Sequence, residues 1–157
     1  ITGITGGIGQ GLINPLLQRR GYDIYGQYRN EEKRSELVAK YKSDHLHFVH
    51  DTLEDSAQLE AYFREHPRTY QCIILAAGRP GLDNPELSQE QNIANFDRDN
   101  VLNKRVFIEA FVAAHPTPPK DPIKLVLICS HVATLTDEEI SHAGFNNQIG
   151  YITDPMI

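Results

Sequence analysis

Apolar and polar residues recur along the chain in two periods, one typical of strands and one typical of helices. Strands are predicted where apolar residues alternate with polar ones or form a short continuous run, at residues 22–28, 46–49, 72–76 and 123–128. Helices are predicted where apolar residues recur three and four positions apart, at residues 8–17, 31–41, 56–65 and 92–114. Because strands and helices alternate, the sequence predicts an α/β fold with a doubly wound parallel sheet in three αβα layers.

Several apolar residues are predicted to be buried in the core of this fold. The continuous apolar runs of the third and fourth predicted strands are typical of strands that are covered on both faces. Cys72 and Cys129 are therefore expected to be buried free thiols in a reducing compartment. The apolar face of each helix is expected to meet the sheet. Members of these faces include Ile8, Val38, Val101 and Val112.

A glycine-rich run at residues 2–11 precedes the first helix. A turn that binds a pyrophosphate needs one glycine with a positive φ, one that leaves room for the phosphate and one that lets the helix pack on the strand. The run supplies candidates for these three roles: Gly3, Gly6 or Gly7, and Gly9. We expect a side chain at Gly9 to block binding and to spare the fold. Such a run can also be a flexible loop, but the strand after the helix completes the βαβ unit that the motif requires.

Charged and polar residues follow the strand at 22–28. A carboxylate here would bind the ribose 2′-hydroxyl of NAD, whereas an arginine suits the 2′-phosphate of NADP. Arg29 is the first residue after the strand, with Asn30 beside it and Glu31 next. The sequence therefore favours NADP, with NAD as the alternative. Arg29 could also be a solvated arginine at the start of a helix.

The other strand ends carry further candidates, because ligands of doubly wound sheets bind at the carboxyl ends of the strands. Asp51 can accept a hydrogen bond from the adenine amino group or cap the following helix. Small residues at 76–78 let the backbone pass close to a ribose, or form a simple tight turn. Ser130 can hydrogen-bond a substrate oxygen or be an ordinary strand-end serine.

Composition narrows the class of protein. The chain has 157 residues, and we expect residues 1–157 to form one domain. Its formal net charge of −6 offers no basic surface for nucleic acid, and no apolar run approaches the length of a membrane span. The histidines and cysteines show no metal-ligand spacing. The sequence thus predicts a cytoplasmic protein that acts on a small molecule and binds neither a metal, nor a membrane, nor nucleic acid.

Taken together, these motifs resemble the short-chain dehydrogenase/reductase superfamily, whose fold is the Rossmann fold. TGITGGIG at residues 2–9 satisfies both glycine patterns of that superfamily, TGxxxGxG and TGxxGxxG. LAAG at 75–78 and NVLNKRVFIEA at 100–110 resemble the extended branch, which contains nucleotide-sugar epimerases, dehydratases and reductases. Asn103 and Lys104 stand where the NVxGTxNLLEA pattern of that branch has glycine and threonine.

The resemblance implies a role for each candidate residue. The dinucleotide would be held by Gly3, Thr5, Gly6, Gly7, Ile8, Gly9, Arg29, Asn30, Asp51, Thr52, Ala76, Ala77, Gly78 and Asn100. Ser130 would match the catalytic serine or threonine. The implied function is that of an NAD(P)-dependent oxidoreductase, with a nucleotide-sugar epimerase or dehydratase and a non-catalytic NADP-binding regulator as alternatives. A homo-oligomer that uses the helix at 92–114 is also implied.

The Tyr-x-x-x-Lys motif of the superfamily does not occur in the chain. In that motif the tyrosine is the acid/base and the lysine lowers its pKa. Tyr151 is the only tyrosine after Ser130, but Pro155 stands at the position of the lysine. Either the chain stops before the motif, or residues are missing between 143 and 148, or the protein natively lacks it. Only Ile1 precedes the glycine turn, which also predicts a piece of a longer protein with a truncated first strand.

Overall fold

Strands and helices alternate along the chain in the computed structural model, which describes residues 1–19, 21–50, 55–78, 84–117 and 119–128. The elements are α1 (Gly7–Leu17), β1 (Ile24–Tyr28), α2 (Glu31–Tyr41), β2 (Leu46–His50), α3 (Ser56–Glu65), β3 (Cys72–Leu75), α4 (Gln89–Asp97), a π-helical segment (Arg98–Leu102), α5 (Asn103–Ala114) and β4 (Lys124–Leu127). Helices α2 and α3 have the predicted bounds. The long helix predicted at 92–114 begins earlier, at Gln89, and contains the π-helical segment.

Residues 1–4 join two pairs of parallel strands into one sheet. Strand β1 pairs with β2, and β3 pairs with β4. On one side of the first residues, the Ile4 N–H donates to the Gln27 carbonyl at 3.0 Å and the Gln27 N–H donates to the Ile1 carbonyl at 2.8 Å. On the other side, the Thr2 N–H donates to the Ile74 carbonyl at 2.9 Å. The order across the sheet is therefore β2, β1, residues 1–4, β3 and β4, which confirms the predicted doubly wound fold.

Two apolar clusters hold the helices to the sheet. One cluster joins the first residues to α1, α2, β1 and β2, and its buried members are Ile4, Ile13, Ile24, Leu37 and Leu46. The other joins α3, α5 and β3, and its buried members are Leu59, Phe63, Ile73, Leu75, Ala110 and Phe111. Right-handed crossovers place α1 and α2 on one face of the sheet and α3 and α5 on the other. Each cluster thus fills the space between the sheet and one helical layer.

Four residues that were predicted to face the sheet are exposed instead. The exposed fractions are 53% for Ile8, 46% for Val38, 43% for Val101 and 60% for Val112. Neighbouring positions on a helix lie about 100° apart, so one of two adjacent apolar residues can meet the core while the other turns away. Leu37, beside Val38, is the buried member of its pair.

The predictions for the two cysteine-bearing strands were also partly wrong. Cys72 is exposed, because it is the first residue of β3 and lies at the rim of the sheet. All four residues of β4 are exposed, and within the described part of the chain this strand has a pairing partner on one side only. Cys129 lies outside the described residues.

Gly9 lets α1 rest directly on the first residues of the chain. It is buried within α1, and a Cβ added at this position would overlap the Gly3 carbonyl oxygen and lie 2.6 Å from the Ile4 Cα. These are backbone atoms, which cannot move aside without disturbing the turn. The expectation that a side chain at Gly9 would spare the fold is therefore wrong.

We predict that Gly9→Ala lowers the free energy of unfolding by about 1–3 kcal/mol, because the added methyl overpacks the contact between helix and strand. Gly11→Ala is the matched control, since a Cβ at Gly11 in the same helix would meet no atom within 4 Å. That control should be neutral or stabilising by about 0.5–1 kcal/mol. Urea unfolding of both variants measures the difference, and equal midpoints would contradict the proposed packing role of Gly9.

Candidate functional site

The glycine turn leaves the amino-terminal end of α1 open. Gly3 has a φ of +66°, and the Gly6 N–H donates to the Gly3 carbonyl at 2.9 Å to close the turn. Gly6 is the N-cap and provides no capping side chain, and no acidic residue lies in the first turn of the helix. A Cβ at Gly7 would meet no atom within 4 Å. The first N–H groups of a helix have no partner within the helix and lie at the positive end of its dipole, so this end suits a phosphate.

Hydrogen bonds join the glycine turn and the residue before it to β1 and to the end of β3. The Gly3 N–H donates to Gln27 Oε1 at 3.0 Å, and the Ala77 N–H donates to Thr2 Oγ1 at 3.0 Å. A Cβ at Gly3 would lie 2.8 Å from the Ala77 Cα, so the two backbones are in direct contact. The predicted ribose-lining segment at 76–78 thus lies against the predicted phosphate turn.

Thr5 and Ile8 also lie on this turn. The Thr5 carbonyl accepts a hydrogen bond of 2.9 Å from Gln10 Nε2, which folds the glutamine side chain back over the turn. Ile8 is in the first turn of α1 and is exposed. Its side chain points away from the core and is available to a bound molecule.

Arg29 and Asn30 follow β1 and have different surroundings. Arg29 is exposed directly after the strand. Asn30 is the N-cap of α2, and its Oδ1 accepts a hydrogen bond of 2.9 Å from the Lys33 N–H. The structure thus gives the Asn30 side chain a capping role, and its role toward a cofactor stays a prediction.

The acidic residue that follows Asn30 is already paired with a cation. Glu31 Oε1 accepts a hydrogen bond of 2.7 Å from Arg34 Nε, and the Arg34 guanidinium lies 5.5 Å from the centre of the Tyr28 ring. The Arg34 hydrogen bond, followed by one from Tyr28, holds the pKa of the Glu31 carboxyl below its usual range. Glu31 is therefore ionised at neutral pH and compensated by Arg34, which leaves the charge of Arg29 to act at the end of β1.

The π-helical segment brings Asn100 against Gly78. Asn100 Nδ2 donates to the Phe96 carbonyl at 3.0 Å. Its Oδ1 lies 2.6 Å from the place where a Gly78 Cβ would be, so any other residue at position 78 would require the Asn100 side chain to shift. Single π-helical turns are frequent at functional sites. The structure thus places two predicted site residues in contact, and it does so through a helical irregularity that periodicity does not predict.

Three residues of this region were missed in the sequence. They are Thr2, which accepts from Ala77; Gln27, which accepts from Gly3; and Lys104, whose Nζ donates to the Ile128 carbonyl at 2.7 Å. Gln27 is 7% exposed within an apolar strand, and a buried polar side chain must find a hydrogen-bond partner. A polar residue at a predicted buried strand position was the signal that could have found it.

Four predicted site residues lie outside the described part of the chain. These residues are Asp51, Thr52, Ser130 and Tyr151. The adenine contacts and the catalytic residues therefore stay predictions. Within the described ranges, no group of three histidine, cysteine, aspartate or glutamate residues could hold a metal ion.

The sequence of this region matches a known protein family. Residues 1–133 match the model of the NAD dependent epimerase/dehydratase family. The chain belongs to this family. Its match covers the phosphate turn, all four described strands and the strand ends discussed above. No curated protein sequence matches the chain.

Solved structures with the same fold are short-chain dehydrogenases and reductases. Serine dehydrogenase from Escherichia coli superposes with a TM-score of 0.71 at 15% identity, over 95% of this chain and 74% of that one. An oxidoreductase of the short-chain dehydrogenase/reductase family from Burkholderia thailandensis gives 0.71 at 18% identity, over 96% and 62%. The NADPH-bound carbonyl reductase from chicken fatty liver gives 0.71 at 15% identity, over 90% and 62%.

The family model shows the family of the chain, and these structures, at 15–18% identity, show its fold. The chain spans about three quarters of the serine dehydrogenase and less than two thirds of the other two proteins. In the described ranges, no helix has the length and apolar character needed to cross a membrane.

We predict that Gly7→Val weakens dinucleotide binding at least about tenfold, because the side chain would occupy the space over the helix end where a phosphate meets the N–H groups. Gly11→Val is the matched control, since both positions lie on α1 and both leave open space around an added Cβ. Fluorescence titration with NADPH measures the affinity of each variant. Equal affinity in the two variants would show that this helix end does not hold the dinucleotide.

Proposed function

We propose that the chain binds NADP, with its pyrophosphate on the glycine turn and its riboses along the strand ends. The observation that carries this proposal is the open amino-terminal end of α1, where a glycine caps the helix and Gly7 leaves space above it. The small residues at 76–78 lie beside that turn, where Ala77 contacts Gly3. A phosphate at this end would gain hydrogen bonds from backbone N–H groups that no side chain of the turn caps.

Charge at the end of β1 supports NADP over NAD. Arg29 is exposed there, and the neighbouring Glu31 is compensated by Arg34. A 2′-phosphate would therefore meet the exposed guanidinium of Arg29, which directly follows β1 and precedes Glu31 and Glu32 in the chain. The carbonyl reductase with the same fold was solved with NADPH bound.

We further propose that the whole protein catalyses hydride transfer between the nicotinamide and a carbonyl or hydroxyl carbon of a small molecule. A bound nicotinamide supplies or accepts the hydride. Ser130 would hydrogen-bond the reacting oxygen, and a tyrosine–lysine pair outside the printed sequence would move the proton. Tyr151 is the weaker candidate for that acid/base, because Pro155 stands where the lysine belongs.

Two alternatives follow from particular observations. The family model that matches is that of epimerases and dehydratases, which favours a nucleotide sugar as the substrate class. The lack of a Tyr-x-x-x-Lys motif in the sequence favours a non-catalytic NADP-binding regulator. We also propose a homo-oligomer, since Val101, Leu102 and Val112 are exposed on the helical stretch from Gln89 to Ala114. A cytoplasmic location stays a prediction from the sequence.

We predict that Arg29→Asp reverses or removes the preference for NADP. The loss should be about 1–2 kcal/mol, which is less than for a buried charged hydrogen bond because Arg29 is exposed. Arg19→Asp is the matched control, since Arg19 is also exposed and lies near the other end of α1. Titration of each variant with NADP and with NAD gives the ratio of affinities. An unmutated protein that binds both cofactors equally would refute the proposed preference.

We predict that Ser130→Ala in the whole protein lowers kcat and leaves cofactor affinity nearly unchanged. Loss of a hydrogen bond to a developing alkoxide costs about 2.7–4 kcal/mol of transition-state stabilisation. Ser35→Ala, in the exposed part of α2, serves as the control. Steady-state kinetics with the substrate of the whole protein, together with a cofactor titration, separates the two effects. A variant that keeps full turnover would remove Ser130 from the mechanism.

A further inference from the structure

A groove of about 440 Å³ lies between the sheet and α3. Ile24 and Leu46 belong to the apolar cluster that joins β1 and β2 to α1 and α2. Because successive side chains of a strand point to opposite faces, Tyr25 and His47 point toward α3 on the other face of the sheet. The volume of the groove lies within the range of small-molecule sites, which is about 300–1,000 Å³.

Two stacked pairs of rings, each of a tyrosine and a histidine, line this groove. Tyr25 of β1 lies opposite His47 of β2, and their ring centres are 4.7 Å apart. Tyr62 of α3 and His66, the C-cap of that helix, have ring centres 4.5 Å apart. The His47 side chain is 41% exposed, and His66 is exposed as well, so both imidazoles can contact a molecule in the groove. These four residues and Arg68 form what we call the aromatic groove.

Arg68 joins the two pairs of rings. Its guanidinium carbon lies 4.2 Å from the centre of the Tyr25 ring and 5.8 Å from that of the Tyr62 ring. Its Nη1 donates to the Tyr62 hydroxyl at 3.2 Å and to the His66 carbonyl at 3.4 Å, and the Tyr70 side chain also interacts with the guanidinium. Neutral groups thus hold the guanidinium in place without compensating its charge.

The charge of Arg68 has no carboxylate partner among the described residues. Other arginines pair with a neighbouring carboxylate, namely Arg34, Arg64, Arg98 and Arg105. None of the described residues that line the groove is acidic. Asp23 lies at its edge, with Oδ1 2.9 Å from His45 Nδ1 and 3.6 Å from His47 Nε2. In a chain whose net charge is −6, a half-buried cation therefore lines a groove that provides no counter-ion from those residues.

We propose that the aromatic groove binds a small planar anion, an aromatic ring that carries a carboxylate or a phosphate group. The ring would lie against the imidazoles of His47 and His66, and the anionic group would meet the planar guanidinium of Arg68, which matches both kinds of anion. Tyr25 and His47 are the second residues of their strands, about 10 Å before the carboxyl ends at which the dinucleotide is proposed to bind. The aromatic groove would thus be a second site, and this inference does not depend on the binding of NADP.

Calorimetric titration of the unmutated protein tests whether both the ring and the anion are needed. Phenyl phosphate and benzoate carry both, phenol lacks the anionic group, and inorganic phosphate lacks the ring. We expect at least one of the two aromatic anions to bind about tenfold more tightly than phenol and than inorganic phosphate, because each of those two probes loses one contact. Inorganic phosphate that binds as tightly as the aromatic anions, or no binding of either aromatic anion, would overturn the proposal.

The glycine turn is a second place where a phosphate group could bind, and the Gly7→Val variant separates the two places. Its affinity for the aromatic anion should equal that of the unmutated protein, because Gly7 belongs to α1 on the other face of the sheet. Loss of binding in this variant would place the probe at the turn and overturn the proposal. A protein that binds the aromatic anion but not NADPH would refute the proposed function alone.

Substitutions in the groove then locate the probe. Arg68→Met should weaken binding of the aromatic anion at least about tenfold, and Arg68→Lys, which keeps a cation, should weaken it less. Arg64→Met is the matched control and should change nothing, since Arg64 is exposed and pairs with Glu60. His47→Ala, on the sheet side of the groove, should weaken binding about threefold through the loss of one ring contact. Urea unfolding shows which variants are folded, and folded variants at Arg68 or His47 with full affinity would overturn the proposal.

Discussion

The close approach of α1 to the first residues of the chain is the contact on which the rest of the structure depends. Ile4 is fully buried, with Gly9 on one side and Gly26 on another. A Cβ at Gly26 would lie 2.7 Å from the Ile4 Cγ2, and a Cβ at Gly9 would overlap backbone. Close packing of this kind tolerates no added methylene without a shift of the surroundings. The glycines therefore set the distance between helix, turn and sheet.

The short distance between α1 and the first residues determines where the glycine turn lies relative to the other strand ends. Because α1 lies so close to the strand, the turn at Gly3 comes into contact with Ala77, and the helix end opens beside the carboxyl ends of the strands. The contact also lets Thr2 reach the Ala77 N–H and lets Gln27 reach the Gly3 N–H. The open end of the helix and the strand end that lies beside it are thus consequences of one packing contact, rather than two separate features.

Local patterns in the sequence predicted the elements well and the contacts between them less well. Helices α2 and α3 have the predicted bounds because their start and end depend on nearby residues, such as the Asn30 cap and the Asp55 cap. The π-helical segment and the bond from Lys104 to Ile128 join positions whose proximity arises only in the folded chain. Periodicity carries no information about such contacts. It also predicted burial for Val38, because it identifies an apolar pair without saying which member meets the core.

In the proposed dinucleotide site, backbone N–H groups and side chains would have different roles. The N–H groups at the start of α1 are common to NAD and NADP binding, and their positions are held by packing. In the proposed function, discrimination between the two cofactors would fall to Arg29, an exposed side chain whose field is screened by salt within about 10 Å at 0.1 M ionic strength. Under that proposal, overall affinity would depend on the packed turn, and cofactor preference on one exposed cation. A substitution at exposed Arg29 would then change the preference and leave the packing intact, whereas a side chain at Gly9 would disturb the packing of α1 on the first residues.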